Sequence, residues 1–276
     1  MFRTVRMSTV LMAGALSLAA QDTQPRSDPD SHPVPVRYAE GMVHGFLHLS
    51  TASGKPLASG DLLQVPRERH IESRMIFHFA DSSYFEETVT FTQHDVFRMQ
   101  SYHLVQRGPA FSADLDASLD ANGHYRVTAR PHDGGDTEHH EDTLNLPSDV
   151  ANGLPIVLLK NLKPGETHTV HLVAFTPKPR LIELEMTPIG ESHVLNGDER
   201  EHVVEYALKP KLGFVTGIFA AILGKTPPDS YVWIVTDEVP AFMRFEGPLY
   251  MGPAWRIDLA APELVDGRPL TVDRRP

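Results

Sequence analysis

The sequence predicts an all-β fold with two short helices, its antiparallel sheet curved around one of them. Three observations predict it. Short segments alternate apolar and polar residues with period two along most of the chain. Turn-forming clusters separate these segments by short intervals, which favours an antiparallel meander over βαβ units. One late segment, Leu212–Leu223, is apolar on nearly every side, so as a helix it has to be enclosed.

The N-terminus reads as an export signal. Arg3 and Arg6 precede the uncharged run Met7–Leu18, and small residues follow at Ser17, Ala19 and Ala20. Residues 1–19 are assigned to a signal peptide, with cleavage after Ala19, which puts Ser17 at −3, preferred to cleavage after Ala20, which puts Leu18 there. The apolar run is shorter than the roughly 20 residues that span a bilayer. A lipid-anchored export signal needs a cysteine, and the chain has none. The expectation is a periplasmic or extracellular protein with no membrane span after cleavage. Residues 20–37 carry Pro25, Pro29, Pro33 and Pro35 and read as a disordered linker. Residues 38–264 form a single β domain, and 265–276 a loose tail.

Strands follow from the alternation. In Phe111–Leu119, Phe111, Ala113, Leu115, Ala117 and Leu119 share one side against Ser112, Asp114, Asp116 and Ser118. Ile71, Ser73, Met75, Phe77 and Phe79 form a second dry face. Phe85, Val89 and Phe91 form a third, opposite Thr88, Thr90 and Thr92. Further strands are read at Gly41–Ser50, Leu57–Val65, Val96–Gln106, His124–Arg130, Glu138–Leu146, Thr167–Thr176, Arg180–Thr187, Glu201–Leu208, Tyr231–Thr236, Ala241–Glu246 and Ala254–Leu259. Asn122-Gly123 and Asn196-Gly197 suit the positive φ of tight hairpins. The first helix is read at Ser148–Leu162, between the cap Ser148-Asp149 and Lys163-Pro164-Gly165, with Pro155 a possible first-turn residue. The second is Leu212–Leu223.

The succession Leu158-Leu159-Lys160-Asn161-Leu162-Lys163-Pro164-Gly165-Glu166 and then strand Thr167–Thr176 resembles the central segment of a family of uncharacterised secreted bacterial proteins. The late run Tyr231–Pro248, with Phe242-Met243-Arg244-Phe245 near its end, carries the same resemblance. It covers Tyr38 to Leu264. That family is similar in shape to the periplasmic carriers of lipoproteins. The resemblance implies a half-barrel whose concave face holds an acyl chain or another apolar ligand. It supplies no catalytic residues.

The composition bounds the function. A net charge of −11 excludes a general nucleic-acid binder. Loss of Arg3 and Arg6 with the signal peptide takes it from −11 to −13. Without cysteine there is no thiolate metal site and no cysteine nucleophile. No cofactor is implied. The leading expectation is a non-enzymatic, lipid-binding protein, its groove lined by Phe77, Phe91, Phe214, Ile218, Phe219, Ile222, Trp233 and Phe245. The same side chains also suit an ordinary packed core.

Two rival readings stay open. Residues 136–142 gather histidine and carboxylate, and on a strand Glu138, His140 and Asp142 share a face that suits Zn, Ni or Cu in a metal-dependent enzyme or metal-binding protein. The other rival is a structural cell-envelope protein without a small ligand. The carboxylate pairs Glu86-Glu87, Glu183/Glu185 and Asp114/Asp116 read as solvated positions.

Overall fold

Alternation with period two becomes one antiparallel sheet of 14 strands among the described residues. The computed structural model describes residues 31–175, 178–196, 199–211, 229–250 and 252–260. Residues 1–19, the helix read at Leu212–Leu223 and the tail at 265–276 lie outside them.

The strands are β1 (Val43–Thr51), β2 (Pro56–Pro66), β3 (Ile71–Phe79), β4 (Tyr84–Gln93), β5 (Phe97–Arg107), β6 (Ala113–Asp120), β7 (His124–Pro131) and β8 (Glu138–Thr143). One short helix, α1 (Pro155–Leu159), comes next. Then follow β9 (His168–Ala174), β10 (Arg180–Asn196), β11 (Glu199–Lys211), β12 (Ser230–Val235), β13 (Ala241–Gly247) and β14 (Trp255–Leu259). Their order is β8-β7-β6-β5-β4-β3-β2-β1-β14-β13-β12-β11-β10-β9. The chain steps outward from β1 to β8, crosses to the far edge through α1, and steps back to β14. There β14 pairs with β1, from Leu47↔Leu259 to Thr51↔Trp255. The sheet is not closed, and β8 and β9 are its edges.

Short turns fit this meander. At Asn122-Gly123 the glycine has φ +85°, and a Cβ there would stand 1.9 Å from the Leu144 carbonyl oxygen. Only glycine meets both demands. The Asp120 carboxylate accepts hydrogen bonds from the Asn122 and His124 amides and fixes the same turn.

Residues paired across strands point to the same side. One side, the core face, gathers Leu47, Leu49, Phe77, Phe85, Phe91, Leu104, Val127, Met186, Val232 and Ile257 into the main apolar cluster. Phe79, Phe111 and Trp255 meet there with ring centroids 5.5–6.0 Å apart. Val150, Leu154, Val157, Leu158, Leu159 and Leu162 join the same cluster, so the connection around α1 packs on the core face.

The first helix is shorter than its sequence pattern. It spans Pro155–Leu159 rather than Ser148–Leu162. Proline stands at its first turn, where a missing N–H costs nothing. The residues before it belong to the edge of β9 instead. Val150 bridges His171, and the Ala151 amide donates to the His171 carbonyl at 2.9 Å. The Asn152 amide group donates to the Val173 carbonyl and accepts from the Val173 amide, both at 2.8 Å. Its side chain thus satisfies an edge that would otherwise stay unpaired.

The end of the proline-rich leader is held to the body. The amides of Arg37 and Tyr38 donate to the Asn161 side-chain oxygen at 2.8 and 2.7 Å. Val34 is buried, and the Phe97 amide donates to its carbonyl. From Ser31 onward this segment therefore has fixed partners, and Pro35 makes an isolated antiparallel bridge with Val96 beside β5.

The opposite face carries cross-strand ion pairs, including Arg74–Glu86, His103–Asp116, Arg126–Glu141, Arg244–Asp258 and Arg256–Glu246. The Asp114/Asp116 pair belongs here. Partial burial opposes ionisation of Asp114, but the Gly108 amide, the His132 ring and the Arg130 guanidinium outweigh it and bring its carboxyl to about 2. Among the described residues no helix is long and apolar enough to cross a membrane.

Candidate functional site

β4 contains two consecutive carboxylates, and the pleat sends them to opposite faces. Glu86 faces the ion-paired side. Arg74 donates to its two oxygens at 2.8 and 3.0 Å, and the Tyr84 hydroxyl donates as well. Partial burial opposes its ionisation, but the hydrogen bonds from Arg74 and Tyr84 prevail and hold it below the usual carboxylate range.

Glu87 goes the other way. It shares the core face with Phe85, Val89 and Phe91, and its cross-strand partners are Met75 on β3 and Leu104 on β5. The Tyr102 hydroxyl donates to its Oε1 at 2.8 Å. Among the described residues no cation pairs with it, and its second oxygen has no hydrogen-bond donor. Desolvation pushes the Glu87 carboxyl above its ordinary value, against the opposing hydrogen bond from Tyr102. Tyr102 is raised too, first by desolvation and then by the charge of Glu87. Its ring stacks on Phe175 with planes within 2° and centroids 5.8 Å apart, which fixes the direction of the hydroxyl.

Glu87 is deep and yet not sealed. Its carboxyl is desolvated, while the residue as a whole keeps an intermediate accessible surface. Part of the core face around it thus stays accessible. Met75, Leu62, Leu259 and Phe245 are also core-face residues that remain half-buried. Beside them stands Tyr250, half-buried as a residue but with its hydroxyl buried and lacking a hydrogen-bond partner. Burial pushes that hydroxyl far up; the Phe175 backbone opposes the shift slightly without reaching good hydrogen-bond geometry.

The groove residues expected from sequence divide into four groups. Phe77 and Phe91 are fully buried in packing and expose no surface to a ligand. Phe245 lies on the core face and is half-buried. Trp233 is on the opposite face, because Val232 and Ile234 take the core positions of β12; it forms a separate cluster with Val194 and Val203. Phe214, Ile218, Phe219 and Ile222 lie outside the described residues.

The histidine-carboxylate cluster is spread along edge strand β8. Glu138, His140 and Asp142 pair with Ala129, Val127 and Tyr125, so they do share one side. His140 Nε2 and Glu138 Oε2 are 3.1 Å apart. Asp142 instead accepts a hydrogen bond from the Thr143 amide. Among the described residues no three histidine or carboxylate side chains are grouped so that they could hold a metal ion. Successive same-face positions on a strand are about 7 Å apart, too far for three ligands without a bend.

The doublet Glu86-Glu87 reads in sequence as a pair of solvated positions, and that reading misses Glu87. The signal was present: Glu87 falls between Phe85 and Val89 in the alternation that defines the dry face of β4. No family model, curated protein or solved structure matches this chain. The resemblance to half-barrel carriers therefore rests on its sequence motifs alone.

Proposed function

We propose that this chain is an exported, non-enzymatic protein that binds or carries an apolar or lipid-like ligand on the core face of a sheet curved as a half-barrel. The observation that supports this most is Glu87, a desolvated carboxylate on a residue that keeps accessible surface among the apolar side chains of the core face. A face that served packing alone would favour an apolar residue there, since a buried carboxylate without a cation is costly. Partly accessible Met75, Leu62, Leu259 and Phe245 supply the apolar wall. Export rests on the pattern of Met1–Ala19, and the ligand would be met outside the cytoplasm.

The test is fluorescence of N-phenyl-1-naphthylamine with the purified protein. Saturable enhancement, reversed by dodecanol below its solubility limit, is the expected result. Lack of saturable binding, with no lipid in native mass spectra of protein purified from its own host, would overturn the reading.

A further inference from the structure

Glu87 differs from the ion-paired carboxylates of the opposite face. Its neighbour Glu86 has Arg74 and Tyr84, and Asp114 has Arg130 and His132. Glu87 has one donor, the Tyr102 hydroxyl, which holds Oε1 at 2.8 Å. That hydroxyl has a single proton to give, so one donor serves a carboxylate with two oxygens. Oε2 has no donor among the described residues, and Met75 and Leu104 are the cross-strand partners of Glu87.

Resting on the carriage reading above, we propose that Glu87 is the polar anchor of this part of the core face and selects amphiphiles that carry a protonated amine on an apolar chain. The chemistry follows from what the site lacks. A carboxylate in a dry setting is stabilised by a cation that donates hydrogen bonds, and the described protein supplies none. An ammonium head brings both the charge and the donors. A hydroxyl head brings a donor without charge. A carboxylate head adds a second negative charge beside the first and is disfavoured. The apolar chain would lie along the half-buried side chains of Met75 and Leu62, the next positions across β3 and β2.

The experiment is displacement of N-phenyl-1-naphthylamine by dodecylammonium, dodecanol and dodecanoate, each below its micelle concentration, at neutral pH. Salt at about 0.3 M screens attraction of the amine to the acidic exterior. Dodecylammonium is expected to displace the dye at a concentration about tenfold below that of dodecanoate, a difference of about 1.4 kcal/mol. In Glu87→Gln the gap should close to within about threefold, with dodecanol unchanged. Dye binding with equal displacement by all three ligands in the unaltered chain would overturn the anchor and leave carriage standing. Absence of dye binding would overturn both. The ligand series on the unaltered chain decides the matter even if the variant folds poorly. If the variant folds and keeps the full preference for the amine, Glu87 is not the anchor.

Discussion

Glu86 and Glu87 are adjacent in the chain, chemically identical and oppositely housed. Glu86 sits on a face of ion pairs, where Arg74 and Tyr84 keep it ionised. Glu87 sits on the face that builds the core, where a tyrosine hydroxyl is its only described donor. The contrast separates two uses of a carboxylate. On the wet face it joins one of many exchangeable pairs, each worth little. On the dry face it costs stability, and such a cost points to a role other than holding the fold.

The largest expected effect removes the dry face itself. Phe85→Ala deletes a fully buried ring beside Phe77 and Phe111 on the same strand as both glutamates. It should cost about 3–5 kcal/mol in urea unfolding. A loss below about 1 kcal/mol would mean that the two faces differ less than their burial implies.

Asp114 sharpens the contrast from the wet side. Its carboxyl at about 2 lies below the ordinary 3.8, so the folded state favours the ion. The stability this supplies is present above the ordinary value and is lost as pH falls through about 2. With a side chain 21% exposed and solvent screening its partners, Asp114→Asn should cost about 1–2 kcal/mol at pH 7. The deficit should shrink toward zero as the pH approaches 2. A deficit independent of pH would assign the effect to lost packing instead.

Glu87→Gln should have the opposite sign. Its folded value is raised, so ionisation is penalised by folding. The penalty is absent below the ordinary carboxylate value and full above the raised one. The amide keeps an acceptor for the Tyr102 hydroxyl and removes the charge. Stability should rise by about 1 kcal/mol at pH 8, with the gain fading by about pH 4. A loss at pH 8 would show that the carboxylate is better satisfied than its described partners allow.

These residues also show which parts of the molecule were legible in the sequence. Period two located the strands, because each side chain reports its face directly. The same rule placed Leu115, Ala117 and Leu119 in the core. It failed for the stretch before α1, where Asn152 and Ala151 prefer the unpaired edge of β9 to a helical turn, a long-range competition that local pattern does not contain. At Trp233 size and alternation point to different faces, and alternation is right: Val232 and Ile234 take the core positions, while Trp233 packs on the opposite face. The length of β10 and β11 was underestimated because polar residues such as Glu191 and His193 interrupt their apolar pattern while the backbone ladder continues to Asn196↔Glu199. Glu87 was visible to the rule and hidden by the habit of reading paired acids as solvent-facing.

The smallest expected effect closes the comparison. Glu86→Gln removes one charge from a pair whose arginine side chain is 41% exposed and whose carboxylate is 20% exposed. Solvent and salt screen such a pair, so the loss should be about 0.5–1 kcal/mol at pH 7 and smaller in high salt. Because the folded value of Glu86 lies below the ordinary one, the loss should appear above the ordinary carboxylate range and vanish as pH falls through the depressed value. Glu86→Gln and Glu87→Gln should therefore move stability in opposite directions at pH 8 and converge in acid. The same atoms are exchanged one residue apart, so a difference in sign can come only from the face on which each lies. Equal signs at pH 8 would remove the case that Glu87 is kept for something other than stability.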